Sequence, residues 1–206
     1  MRKVLAFVMA LSMVLALAAC GASEPQPAPA PDNEPSGSTV TEPAETGGKS
    51  LVVYFSWSGN TEKVAQSIRQ QTGSDIFEIV PKTPYSTDYD TVVSDAKAEQ
   101  QENARPEMAD AIENMGDYDT VYVGFPNWWG DMPMILYTFF DTYDLSGKTV
   151  ALFCTSGGSG LSDTVNEVKE LEPNAAVTQG LHIGSSASSG PDSAVRAWLD
   201  EIGTAR

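Results

Sequence analysis

Cysteine, histidine and positive charge are the scarce components of this chain. Its 206 residues include two cysteines, Cys20 and Cys154, and one histidine, His182. It has 12 Lys and Arg against 28 Asp and Glu, a formal net charge of −16. Such a balance excludes a nucleic-acid binder, whose partner's phosphates require a basic surface. It suits a basic protein partner reached by electrostatic steering, and equally a surface kept soluble by its charge. No GxxxxGK[ST] segment occurs, so there is no nucleoside-triphosphate loop, and the dinucleotide fingerprint GxGxxG is absent as well. The longest apolar run, from Val4 to Ala19, is shorter than a normal membrane span. No internal repeat is visible.

That short run follows Arg2 and Lys3, the basic flank of a secretory signal. It ends in Leu17-Ala18-Ala19-Cys20, which resembles a bacterial lipobox; the resemblance implies that Cys20 is lipidated and begins the mature protein. An uncleaved anchor helix and a simple secretory signal are the alternatives. Residues 21–48 are almost wholly Pro, Ala, Ser, Thr, Gly and acid, with Gln26 and Asn33 besides, and Val40 is the only large apolar side chain. Such a segment cannot bury enough apolar surface to offset chain entropy, and it reads as a disordered tether. With Cys20 committed to the anchor, Cys154 has no partner, so neither a disulfide nor a cysteine metal site is expected. Residues 49–206 then form one domain. Setting aside the two basic and five acidic residues upstream leaves 10 and 23, a net charge near −13.

Within this domain, short apolar runs alternate with amphipathic segments. Leu51–Phe55, Val121–Phe125 and Val150–Cys154 are near-continuous apolar runs, the pattern of strands covered on both faces. Weaker runs at Ile76–Val80 and Val177–Ile183 complete a five-stranded sheet. Helical spacing links Val64, Ala65 and Ile68, then Leu161, Val165, Val168 and Leu171, and finally Val195, Trp198, Leu199 and Ile202. This β-α alternation predicts an α/β fold, a doubly wound parallel sheet with right-handed crossovers. The long connection from Pro81 to Asp119 is expected to hold a polar helix over Asp88–Asn103 and a shorter one over Glu107–Asn114. In such a sheet, ligands bind at the carboxyl ends of the strands. The loops after strands one, three and four are therefore the candidate site.

The first, Ser56-Trp57-Ser58-Gly59-Asn60-Thr61, offers hydroxyls, an amide and the free N–H groups of a helix start, which together can surround a phosphate. It reads equally as an ordinary N-cap made by Ser58 or Asn60. Lys63, in the first helical turn, reads as solvated or as part of the site. The second loop, Phe125-Pro126-Asn127-Trp128-Trp129-Gly130-Asp131-Met132-Pro133, places two tryptophans beside glycine and proline. They are hard to explain as core alone, because a flat ligand gives an aromatic face something to stack on. The third, Cys154-Thr155-Ser156-Gly157-Gly158-Ser159-Gly160, is bare enough for its backbone to approach a polar ring edge.

With these three loops in order, the chain from Lys49 to about Asp200 resembles the flavodoxin-like family that carries a WWG loop and a C-T-x-G-G-S-G loop. Pro84-Tyr85 and Asp88-Tyr89, at the start of the long connection, extend the likeness. The resemblance implies strand order 2-1-3-4-5 with helices on both faces, and FMN as cofactor. It implies that Ser56, Ser58, Gly59, Asn60 and Thr61 hold the FMN phosphate, and that Trp57 in the same loop also binds the cofactor. Pro126, Asn127, Trp128, Trp129 and Gly130 would line the isoalloxazine, and Thr155, Ser156, Gly157 and Gly158 would bond its pyrimidine edge. A carbonyl at Trp129 or Gly130 would accept the reduced flavin's N5–H, while Asp131 and the acidic fold would lower the potential. Electron-carrier flavodoxins commonly place a tyrosine from the strand-four loop across the flavin. None is present here, so one flavin face is expected to be open. The flavin carries the chemistry, and no side-chain acid, base or nucleophile is expected. His182 and Cys154 read as structural. Tyr85 and Tyr89 either roof the flavin or pack the insertion down.

Three functions compete on these residues. One is an electron carrier at the outer face of the cytoplasmic membrane, passing electrons to a redox partner protein. Another is an FMN-dependent oxidoreductase, linked to NAD(P)H or quinone, that reduces a small acceptor. The third is a cofactor-free ligand-binding lipoprotein.

Overall fold

The computed structural model describes residues 48–184 and 190–205. The expected signal, Cys20 and the tether up to residue 47 lie outside the described residues. Strand β1 (Ser50–Tyr54) leads into helix α1 (Asn60–Thr72), then edge strand β2 (Asp75–Glu78) and helix α2 (Tyr89–Glu102). Strand β3 (Thr120–Pro126) precedes α3 (Met134–Thr142), and β4 (Thr149–Ser156) precedes α4 (Thr164–Leu171). Two short strands, β5 (Ala176–Val177) and β6 (Leu181–Gly184), lead to α5 (Asp192–Glu201).

All strand pairs are parallel, in the order β2-β1-β3-β4-β5, with β6 also paired to β4. The parallel, doubly wound sheet is the one expected from the residue pattern, and its order is the one the resemblance implies. Alternation along β1 explains the two layers: Leu51, Val53 and Phe55 face Ile135, Leu136 and Phe139 of α3, whereas Val52 and Tyr54 face Val64, Ala65 and Ile68 of α1. Helix α5 joins α1 through Val195, Trp198 and Leu199, and α4 joins α3 through Val168. Each such fully buried aliphatic or aromatic side chain contributes roughly 1.5–3 kcal/mol of transfer free energy. From β1 the chain goes first to one neighbour, β2, and later to the other, β3. The topological switch point therefore lies between β1 and β3.

Two expectations need correction. Glu107–Asn114 is not a helix. Its start runs extended beside the end of β2, with Lys82 N–H donating to Glu107 O and Ala109 N–H to Val80 O, both at 2.8 Å, and a bridge joins Pro81 to Met108. That pairing holds the start of the segment extended, and the next regular helical structure is a 3-10 turn after it, at Met115–Asp117. The last strand is also divided. Gly180 lies so close to the start of α4 that an added Cβ would sit 3.2 Å from Val165 Cγ2 and 2.8 Å from Cδ1 of Leu161, just before the helix, and the bend leaves Gln179 O to accept from Trp198 Nε1 at 2.8 Å.

Candidate functional site

Because the strands are parallel, the loops after β1, β3 and β4 open at one edge of the sheet. They enclose a cleft of about 430 Å³, within the range typical of small-ligand sites. The structure brings Trp57, Ser58, Asn60, Pro126, Asn127, Trp128, Thr155, Ser156 and Gly157 together on its wall. Ser56, Gly59, Thr61, Trp129, Gly130 and Gly158 lie outside that wall, beside it in the chain. Residue order did not point to the fourth side, Ile183, Gly184, Gly190 and Pro191. A Gly-Pro pair just ahead of the last helix was the one available signal.

At the α1 end of the cleft the expected N-cap does not form. Gly59 is the capping residue, at φ 78, and no side chain caps the helix. Ser56 Oγ, three residues before the capping position, accepts from Glu62 N–H at 3.3 Å. The amides of Ser58, Gly59, Asn60 and Thr61 consequently have no hydrogen-bond partner among the described residues. Unpaired amides at a helix start, with the helix dipole behind them, form an anion site. Thr61 itself is buried, and its hydroxyl bonds Thr155 Oγ1 at 2.8 Å, tying the first loop to the third. Its contribution to an anion is therefore its N–H, with the hydroxyl holding β4 in place.

The tryptophan loop is a tight turn. Trp128 and Asp131 exchange backbone bonds of 2.8 and 3.1 Å, with Trp129 at φ 57 and Gly130 at φ 83 between them. Two successive positive φ values are what a type I′ turn requires. A tryptophan in the left-handed region is strained, and surrounding bonds must hold it there. Asn127 supplies several of those bonds. Its Oδ1 accepts from Gly130 N–H at 3.1 Å, while its Nδ2 donates to Gly160 O at 3.1 Å and Ser162 Oγ at 3.0 Å. Asn127 therefore locks the second loop to the third.

The tryptophans divide their work. Trp128 packs edge-on against Phe55 at 5.4 Å and Tyr85 at 5.2 Å between centroids. Trp129 is 52 % exposed, donates from Nε1 to Val93 O at 3.0 Å, and lies 4.9 Å from Lys97 Nζ. Trp57 Nε1 donates to Ser86 O at 2.8 Å. The long connection is thus pinned to the site by indole N–H groups from two loops. Tyr85 serves that packing, donating to Glu99 Oε2 at 2.8 Å, and burial raises its phenol pKa. Tyr89 remains 67 % exposed, 6.3 Å from the Trp57 ring, and lines the cleft.

The third loop is organised by Ser156, whose Oγ accepts from Gly158 N–H at 3.3 Å and Gly160 N–H at 3.1 Å and lies 2.8 Å from His182 Nε2. Gly157 has open space beyond its Cα, so its backbone is accessible from the cleft. Cys154 is fully buried, and burial pushes its thiol up to about 12, the state of an inert strand residue.

Beside the tryptophan turn, Tyr137 donates to the Asp131 carboxylate, 2.9 and 3.1 Å from its two oxygens, and lies 3.1 Å from Glu167 Oε2. Burial, then the neighbouring Asp131 carboxylate, pushes Glu167 up to about 7. Asp131 therefore faces Tyr137 and Glu167, and it also accepts from its neighbour's amide, Met132 N–H, at 2.6 Å.

The fold is similar to two solved candidate flavoproteins, one from Bacteroides eggerthii and one from Bacteroides uniformis. The first is 34 % identical with a TM-score of 0.67, over 75 % of this chain and 98 % of that one. The second is 31 % identical with a TM-score of 0.67, over 75 % and 99 %. A flavoprotein from Lactobacillus acidophilus, solved in complex with FMN, shares the fold at 24 % identity and a TM-score of 0.62, over 76 % and 99 %. The family model described as flavodoxin matches residues 49–202, and the chain belongs to that family.

Proposed function

We propose that the chain binds FMN in the cleft between the three loops and acts as a redox flavoprotein. The observation that carries this reading is a run of unpaired amides from Ser58 to Thr61, of which Ser58 and Asn60 line the cavity, together with an aromatic wall and a bare glycine loop around it. Family membership and the FMN-bound Lactobacillus relative support the same cofactor.

The residues fit such a group by their donor set. The α1 amides and the Ser58 hydroxyl would take a phosphate, with Lys63 on the same wall as the one basic side chain lining the cleft. Asn127 and Trp128 form the wall for a flat ring, and the Gly157 backbone offers polar groups to its edge. Bound FMN supplies one- or two-electron chemistry. The protein orients it, keeps the tryptophan turn closed through Asn127, and keeps its own ionisable groups out of the reaction.

Electron carriage at the outer face of the cytoplasmic membrane, with Cys20 as lipid anchor, is the finer form of the proposal. The lipobox-like Leu17–Cys20 supports it. A second reading, an FMN-dependent oxidoreductase, is favoured by one observation: the third loop sets no aromatic side chain over the cleft.

Purified protein should be yellow, with absorbance in the near ultraviolet and blue, and a chain that stays colourless after incubation with FMN refutes the flavin reading. Rapid bleaching by NADPH in stopped flow would replace the carrier with the oxidoreductase. Cys20→Ser should move the protein from the detergent phase to the aqueous phase, and no movement would refute the anchor.

A further inference from the structure

A second cavity adjoins the cleft. It measures about 270 Å³ and lies between α2 and the tryptophan turn, lined by Val92, Val93 and Ala96 on one side and by Trp57, Trp128 and Trp129 on the other. We propose that this cavity seats the electron acceptor, and that the acceptor is an uncharged, flat conjugated ring of the quinone class. The proposal rests on FMN occupying the neighbouring cleft.

Its chemistry selects the occupant. Trp57 and Trp129 have already committed their N–H groups, to Ser86 O at 2.8 Å and Val93 O at 3.0 Å, so neither indole offers a donor, and one Trp129 face is covered by Lys97. No charged residue lines the cavity. A dinucleotide would bring a pyrophosphate to a lining that itself carries no cation, in a domain whose net charge is already near −13. An uncharged ring meets aromatic and aliphatic walls, and the space admits one small ring system rather than a chain.

Position supplies the second argument. The cavity and the cleft share Trp57, Tyr89, Asn127 and Trp128. The two occupants would therefore sit side by side, bordered by the same four side chains. Two electrons leave the reduced flavin for the acceptor, and two protons are released to water as it returns to the oxidised form. The acceptor's two carbonyl oxygens take up two protons from water and become hydroxyls.

The experiment uses the full chain loaded with FMN and 1,4-naphthoquinone as probe. In the oxidised protein, naphthoquinone should quench tryptophan fluorescence saturably. Val93→Glu puts a carboxylate against the ring and should weaken that binding about tenfold, the scale set by an unpaired polar group facing an apolar site. Ala96→Met fills the same space without charge and should also weaken it. In the photoreduced protein both variants should slow naphthoquinone reduction about as much as they weaken binding, with ferricyanide reduction and FMN affinity unchanged. Naphthoquinone binding and reduction indifferent to both substitutions, or ferricyanide reduction falling in parallel, would overturn the proposal while leaving the flavin reading intact. A chain that takes up no FMN overturns both.

Discussion

Ser156 Oγ lies 2.8 Å from His182 Nε2 across the β4–β6 pair, and its other bonds decide which atom donates. Both lone pairs of the hydroxyl already accept, from Gly158 N–H and Gly160 N–H. Its single proton therefore goes to the histidine, which must present an unprotonated Nε2. The chain's only histidine thus positions the loop assigned to the FMN ring edge. His182→Leu removes that acceptor and leaves Ser156 free to rotate away from the glycine amides. One such bond is worth about 1 kcal/mol, so FMN affinity should fall roughly fivefold, read by flavin fluorescence titration. His182→Gln, whose amide oxygen can accept, should restore part of the loss. Equal affinity in all three proteins would remove His182 from the site.

Glu167 makes stability depend on pH in the direction opposite to most carboxylates. Burial and Asp131 raise its folded pKa from 4.5 to about 7, so the native state holds the proton more tightly than the unfolded chain. Its contribution is fully present below the unfolded value and is lost as pH rises through about 7. Glu167→Gln keeps the hydrogen bond to Tyr137 in reach and removes the charge. At pH 8 the variant should be more stable than the parent by on the order of 1 kcal/mol, after discounting for the solvent that reaches the site. At pH 5 the difference should be small. Thermal melts at the two pH values check this, and a gain at pH 5 equal to that at pH 8 would contradict the assignment.

What was legible in the residues follows from what each element buries. Val52, Val123 and Leu152 belong to strands covered on both faces, so continuous apolar runs marked β1, β3 and β4 directly. The three loops stood out because tryptophan pairs and glycine runs have little use in a core. Glu107–Asn114 misled because Met108, Ile112 and Met115 repeat at helical spacing, yet they pack onto the core from a segment bridged to Pro81. The split after Val177 depends on Gly180 meeting Leu161 and Val165, a contact that no local pattern records. The bonds bracing the site, Trp57 to Ser86, Trp129 to Val93 and Ser156 to His182, link residues 26 to 36 positions apart. Such bonds exist only once the sheet has brought the loops together.

Gly124, in the middle of β3, has no room for a side chain. A Cβ there would lie 2.1 Å from the ring of Phe153, which is fully buried on the next strand. Gly124→Ala must push that ring off its site against Trp198 and its neighbours. Overpacking of this kind costs about 1–3 kcal/mol. Urea unfolding should show the midpoint falling with the slope unchanged. Phe153→Leu in the same chain should recover part of the loss. A Gly124→Ala protein as stable as the parent would mean that the ring moves freely, contrary to its packing.

Gly130 presents the opposite case, space without conformational freedom. An added Cβ would meet only Ser162 Oγ, at 4.0 Å, yet the residue sits at φ 83. Any penalty for Gly130→Val is therefore backbone strain, about 1–2 kcal/mol for a residue forced left-handed. The strain falls on a turn whose other central residue, Trp129, is already at φ 57. The turn should relax, loosening the Asn127 clamp and moving the carbonyls of Trp129 and Gly130. If one of these carbonyls accepts from the reduced flavin, the variant should yield less of the one-electron-reduced form in a redox titration. Gly130→Asn tolerates positive φ and should behave like the parent. An unchanged yield in Gly130→Val would show that the turn braces the long connection through Trp129 and Val93 but does not tune the flavin.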